Sequence, residues 1–334
     1  FFHSSGLVQF HHQLYFVDCG QQDIQKDNGN QFVVRGTDMK TSVRESRSDI
    51  IFNAINGLLL TMILVIALYP LIYVVSASFS DTMAVMKGEV VLLPKSPSLS
   101  AYKAVFANED IMTGYKNTIL YTVIGTVVNL ILTIAGAYPI SRKDFRGRKA
   151  LTLFYTITMF FGGGLIPTYL VNSQLGLVNN FWVMVLPGAV SVWNMFIMRT
   201  FFQNSIPVEL QEAAFIDGCS NIGILLRIVL PLSAPVIAVM VMYYGVGHWN
   251  AYFNAMIYFQ DRGKFPLQLI LREILIKSDM NDMTGEGSSL VDQQMLSEGI
   301  KYAVIVVASV PVLLLYPFLQ KYFVKGVMLG AIKG

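Results

Sequence analysis

The chain has 334 residues, 54% of them hydrophobic and only 13% charged, and its 24 Lys and Arg against 21 Asp and Glu leave a formal net charge of +3. Soluble domains carry about 25% charged residues, so this share, with a mean hydropathy of +0.54, excludes an ordinary water-soluble globule and predicts an all-α membrane protein with several spans. The small net charge gives no reason to expect a nucleic-acid partner, and two cysteines, Cys19 and Cys219, supply no disulfide framework.

Residues 1 to 38 differ from the rest. They are mixed polar and aromatic, hold His3, His11 and His12, and contain no methionine before Met39. They lack the basic start and apolar core of a signal peptide, and adjacent histidines without further ligands predict no metal site. We expect 1–38 to be a non-native or disordered extension and 39–334 to be the membrane domain.

Six apolar runs of spanning length follow, about twenty residues being needed for a hydrocarbon core near 30 Å. They cover about 57–77, kinked by Pro70; 117–138; 151–171, interrupted by Gly162, Gly163, Gly164 and Pro167; 181–202; 232–257; and 300–323. The triple glycine is expected to break a helix or admit a close neighbour. None of the six runs contains Asp or Glu, which argues against an ion-coupled secondary transporter. No nucleophile, metal set or acid pair lies at membrane depth to serve an intramembrane enzyme.

Orientation follows from Lys and Arg beside the spans. Lys40, Arg44 and Arg47 precede the first, Arg142, Lys143, Arg146, Arg148 and Lys149 crowd the loop after the second, and Lys321, Lys325 and Lys333 end the chain, whereas 172–180 has no charge. Both termini, the 141–149 loop and the 203–230 island are therefore expected in the cytoplasm. Two long segments, about 80–116 and 258–299, fall outside. Loops of this length are more often functional than passive.

The island reads EAAFIDGCSNIGILLRIVLP over 212–231. Pro207 suits a first helical turn and Gly218 the left-handed residue that ends one. Leu210, Ala213, Ala214 and Asp217 fall at helical spacing on a narrow face that lets another protein approach, and Ser220 suits the cap of a second short helix ending near Pro231.

Glu212, Ala213, Ala214, Gly218, Ile228, Leu230 and Pro231 match the EAA, three residues, G, nine residues, I-x-LP signature of the membrane subunits of binding-protein-dependent ABC importers. GHWNAYFNAMIYF at 247–259 and MFFGGGLIPTYL at 159–170 resemble the sugar-importing branch, nearest to maltose-type second permeases and permeases for oligosaccharides from complex polysaccharides. The resemblance runs from about Met39 to the C-terminus. It implies a six-helix permease bundle in a bacterial inner membrane, bathed in lipid, with 207–230 as the coupling element. It also implies a second homologous permease, an ATPase pair that binds the ATP, an extracellular solute-binding protein that meets the outer loops, and an oligosaccharide cargo. No cofactor of its own is implied, and the chain lacks a G-x-x-x-x-G-K-[ST] phosphate loop. ATPase coupling is thus expected at Glu212, Ala213, Ala214, Asp217, Gly218, Ile228, Leu230 and Pro231.

Tyr243, Tyr244, His248, Trp249, Asn250, Tyr252 and Asn254 make the fifth span the most polar. Sugars alternate hydroxyls with apolar C–H faces, so a path for them wants amides beside aromatic rings. The translocation path is expected at Tyr243, Tyr244, His248, Trp249, Asn250 and Asn254. Trp and Tyr also gather at membrane boundaries and Asn also bonds neighbouring helices, and the sequence leaves both readings open. In maltose-type systems the partner permease supplies most sugar contacts. A peptide or amino-acid permease would keep the EAA element and is the alternative, separated mainly by the Trp249–Asn250 region.

Overall fold

The computed structural model describes residues 47–284, 300–314 and 317. Among them all regular structure is helical: α1 (Arg47–Ser78), α2 (Thr82–Met86), α3 (Ser100–Ala107), α4 (Glu109–Ser141), α5 (Arg148–Phe160), α6 (Leu165–Gln174), α7 (Val192–Ser205), α8 (Val208–Ile216), α9 (Asn221–Ile224), α10 (Leu230–Leu232), α11 (Ala234–Trp249), α12 (Phe253–Tyr258), α13 (Leu267–Thr284) and α14 (Ile300–Leu314). The chain separates into two units, residues 1–58 and 59–334. Of the first, only the opening turns of α1 are described, and their side chains are exposed. The expectation for 1–38 lies outside the described residues.

In the second unit α1 stays exposed to Ile72 and is buried only at Ser76, Ala77 and Ser78. A helix apolar on every face suits a bilayer, which needs no polar side. The bundle is built on α4, whose 33 residues make a rod of about 50 Å. Asn108 caps it, its Oδ1 accepting the Ile111 N–H at 3.1 Å, and Glu109 and Asp110 complement the helix dipole in the first turn.

Gly114, Gly125 and Gly136 recur every eleven residues, close to three full turns, so they share one line along α4. A methyl group would strike Leu267 and Ile270 of α13 at Gly114, His248 of α11 at Gly125, and Met195 of α7 at Gly136. Three helices therefore close on α4 along a stripe with no side chains. Around its second half Ala137, Tyr138 and Ile140 pack with Met195, Met198 and Phe202 of α7 and Met240 and Tyr244 of α11. Around its first turns Ile111 packs with Leu267 and Ile270 of α13 and Ala303 and Val304 of α14.

Among the described residues two helices, α1 and α4, are long and apolar enough to cross a membrane alone, and four spans result if each of two bent pairs counts as one. Three of the expected spans are not straight. Over 151–171 the chain turns by 115° between α5 and α6, because Gly164 sits at φ +82. No neighbour approaches Gly162 or Gly164, so the triple glycine serves as a break rather than a packing site. Residues 181–202 form a 3₁₀ turn at Phe181–Met184, a bend through Pro187 and Gly188, and then the 14-residue α7. Residues 232–257 enter α11 through an 82° bend at Ser233 and break again between Trp249 and Phe253. The part of 300–323 beyond Leu314 lies outside the described residues except for residue 317.

Candidate functional site

The 207–230 element is assembled by local rules. Pro207 is the N-cap of α8, at φ −56 and ψ 136. At the other end Gly218 takes φ +79, its N–H donates to the Phe215 carbonyl at 3.1 Å, and the Cys219 N–H donates to the Ala214 carbonyl at 2.9 Å. This pair of bonds is the Schellman closure, which satisfies carbonyls the helix leaves open and fixes the angle to the next segment. Ser220 then caps α9, its Oγ accepting the Gly223 N–H at 3.1 Å.

Beyond α9 the spiral widens into a π turn over Leu225–Val229, where the Leu230 N–H reaches back to the Leu225 carbonyl. Pro231 has no N–H to give and its ring would crowd the preceding turn of a regular helix, so the π turn and the following bend accommodate it. Ile228 and Leu230 are partly buried here and Pro231 is exposed.

The expected small-residue face divides. Ala214 is buried in the cluster that includes Phe202, Ile206, Ile224, Val229, Met240 and Tyr244, while Leu210, Glu212, Ala213, Asp217 and Gly218 are exposed. What projects outward is apolar: Phe215 is 64% exposed, Ile216 84%, Ile222 70% and Leu226 57%. A soluble protein would not leave four such side chains at adjacent helix ends, and patches of this kind mark interaction sites.

Arg142, at the C-terminal end of α4, ties this element to the bundle. Its Nε and Nη2 hold both oxygens of Asp144 at 2.9 and 2.8 Å, while Nη1 donates to the Tyr138 hydroxyl at 3.2 Å and to Gln211 Oε1 of α8 at 3.1 Å. Tyr138 in turn donates to the Asn221 carbonyl of α9 at 3.3 Å. The hydrogen bonds to Asp144 raise the guanidinium above its usual range and hold the Asp144 carboxyl below the usual carboxylate range. Beside this latch lies a cleft of about 900 Å³ lined by Arg142, Lys143, Arg148, Phe202, Glu212 and Phe215 among others. The basic 141–149 loop and the 203–230 island thus meet at one end of the bundle.

The expected path residues also divide. Tyr244 is buried, its hydroxyl 2.7 Å from Thr133 Oγ1. His248 lies against Gly125 with Nε2 buried and unpartnered, as are Thr122 Oγ1, Thr126 Oγ1 and Asn129 Oδ1 on α4. Trp249 is 6% exposed, donates from Nε1 to the Ala308 carbonyl at 3.0 Å and meets Tyr115 edge-on. These three side chains anchor α11 to α4 and α14. Tyr243, Gly247 and Asn250, at i, i+4 and i+7, form the exposed face of the same helix. Asn250 donates to the Val246 carbonyl at 2.9 Å and accepts from Gln268 at 3.4 Å, and Asn254 is partly buried in α12.

Sequence reasoning missed the glycine stripe of α4, the latch made by Arg142, and Gln268 and Arg272 of α13. The glycines had a visible eleven-residue signal. The others depend on pairs 16 to 69 residues apart, which no local pattern marks.

Comparison with known proteins follows the same lines. The model of the family described as "Binding-protein-dependent transport system inner membrane component" matches residues 49–329. The chain is 44% identical over 280 residues to the polygalacturonan/rhamnogalacturonan transport system permease protein YtcP of Bacillus subtilis (strain 168), covering 82% of this chain and 96% of that one. It is 40% identical over 293 residues to Protein LplC of the same organism, covering 88% and 98%. A crystal structure of a bacterial ABC transporter involved in import of the acidic polysaccharide alginate contains a chain similar at TM-score 0.77 and 35% identity, with 84% and 99% covered.

Proposed function

The chain belongs to the binding-protein-dependent transport system inner membrane components, and we propose from that membership that it forms half of the pore of an importer of acidic oligosaccharides. The other half would be a second homologous permease, for which the exposed apolar surfaces of α1, α5 and α6 offer contact area beside lipid. An ATPase pair would bind and hydrolyse ATP, and an external solute-binding protein would deliver cargo to the outer segment formed by α2 and α3. YtcP and the alginate-importer chain carry saccharides in their descriptions, which favours oligosaccharides over the peptide or amino-acid alternative. All three saccharides named are uronate polymers or contain uronate.

The observation that carries the reading is the α8–α9 tip. Four exposed apolar side chains, with Glu212 at the neighbouring cleft, are held at a fixed angle by the closure at Gly218. Coupling to the ATPase is assigned to Glu212, Ala213, Asp217 and Gly218 at the tip. Ala214, Ile228, Leu230 and Pro231 form its stem. Closure of the ATPase pair would push the tip, and the push would pass through Ala214, Ile224 and Val229 into the core they share with Met240 and Tyr244 of α11. This end of the bundle would face the cytoplasm, a reading supported by the basic residues of the 141–149 loop.

The test is retention of the ATPase on purification of the assembled complex. Gly218→Val, strained at positive φ, and Glu212→Lys should each leave the permease inserted at normal abundance while the ATPase is lost. Wild-type retention in both variants would place coupling elsewhere.

A further inference from the structure

We propose that Arg272, with Gln268, Asn250 and Tyr252, forms a binding site for the carboxylate of a uronate residue on the translocation path; the proposal rests on the acidic-oligosaccharide reading above. Gln268 and Arg272 are i and i+4 on α13 and so share one face. The opposite side of that helix is spent in the core through Leu267, Ile270 and Leu271. The polar face meets the segment that follows α11. Gln268 Nε2 donates to Asn250 Oδ1 at 3.4 Å, the Arg272 guanidinium lies over the Tyr252 ring at 5.2 Å, and its Nη1 points to the Met256 thioether.

Arg272 is partly buried, yet among the described residues no carboxylate pairs with it. The nearby Arg262 is held by Asp110 at 2.9 Å and Glu273 at 2.8 Å, and Lys264 by Asp261 at 3.6 Å. A thioether is a weak acceptor, so among the described residues most of the five N–H donors of Arg272 have no strong partner. The contact with Tyr252 is made by the guanidinium carbon at 5.2 Å from the ring centroid and consumes no N–H donor, so the group keeps donors able to take a carboxylate through two parallel hydrogen bonds. A cation in that condition fits an anionic ligand.

The surroundings fit a sugar acid rather than a bare anion. Tyr243, Gly247 and Asn250 continue the exposed face of α11 away from Arg272, and nothing fills the space at Gly247. An aromatic ring, a gap and an amide in line can take successive sugar rings by their C–H faces and hydroxyls. A lipid-facing surface would not present an asparagine and an arginine, because charged and strongly polar groups in membrane proteins face a bundle interior or water.

The experiment uses the complete complex in proteoliposomes, with its solute-binding protein outside, ATP inside, and tetragalacturonate as the probe. Arg272→Gln should reduce uptake by about tenfold or more, the scale of losing one charge-assisted pair. Arg272→Lys should recover part of it. The concentration of solute-binding protein giving half-maximal stimulation of ATP hydrolysis should not change. Gln268→Leu removes an amide without removing charge and should reduce uptake severalfold, which keeps the test open should Arg272→Gln fail to assemble. Uptake at the wild-type rate in both variants overturns the site. Loss of uptake with a raised solute-binding protein requirement also overturns it, and makes Arg272 a docking residue for that protein. If the wild-type complex imports neutral oligosaccharides but no oligouronate, the acidic-cargo reading itself falls.

Discussion

The guanidinium of Arg142 bonds at once to the loop that follows α4, to α4 itself and to α8, so a single side chain links the bundle to the tip. Arg142→Gln should leave the ATPase attached, since the apolar tip is untouched, but lower uptake per ATP hydrolysed by about an order of magnitude, as loss of a charge-assisted bond permits. Equal coupling ratios in variant and wild type would leave Arg142 a local loop contact. The pH behaviour follows from the direction of the Asp144 shift. Its carboxyl is held down in the folded protein by Arg142, so the pair contributes stability above the ordinary carboxylate range of about 4 and loses it only as pH falls through the lower folded value. Coupling measured from about pH 6 to 9 should therefore not vary through this pair, and Asp144→Asn should remove the contribution across that whole range.

Gly125 makes a second prediction at this scale. A methyl group there collides with the His248 ring, so Gly125→Ala should destabilise the purified complex by about 1–3 kcal/mol, the usual consequence of overpacking. Adding His248→Ala should restore much of the loss. Additive destabilisation in the double variant, read from thermal unfolding, would show that the two residues do not pack together.

Among the elements, the α8–α9 turn was the most legible in the sequence, because caps are local. Gly218 and Ser220 act within three or four residues of themselves and stand as expected, while Pro207 stands one place earlier than expected, at the N-cap rather than in the first turn. Ser220→Ala should reduce stability of the tip by about 1 kcal/mol, detectable as faster amide exchange over α9 with transport retained at a lower rate. Unchanged exchange would mean that the π turn alone holds α9. The break at Gly162–Gly164 was legible for the same reason.

The polar residues of the fifth span were legible only as a set. Tyr244 and Trp249 are adjacent to Tyr243 and Asn250 in an apolar run, and which side of α11 meets α4 is decided by Gly125 more than a hundred positions away. The run 181–202 reads as continuous hydrophobicity, although the Pro187–Gly188 pair that interrupts it, with Gly188 at φ +81, is a local turn signal.

At the scale of the whole molecule, the basic 141–149 loop and the polar 203–230 island, assigned to one side by charge, meet around one cleft. The loop at 175–180 instead joins residues 258–264 through Asn179, Tyr258 and Lys264. The side chain of Asn179 accepts the Gln260 and Asp261 N–H groups, so an accessibility probe belongs on exposed Gln174 instead. With Cys19 and Cys219 replaced by alanine, Gln174→Cys should react with an impermeant maleimide added to intact cells, and Lys149→Cys only after the membrane is opened. The reverse pattern would invert the molecule and remove the tip from the ATPase.

The central claim is that ATP hydrolysis drives cargo through this chain by way of the α8–α9 tip, and it is tested most directly by tetragalacturonate uptake into proteoliposomes holding the complete complex with either wild-type permease or Gly218→Val. Wild-type vesicles should accumulate the sugar only with ATP inside and the solute-binding protein outside, and Gly218→Val vesicles should fall to the level seen without ATP. Uptake by Gly218→Val vesicles at the wild-type rate, with hydrolysis still coupled to it, would contradict the account.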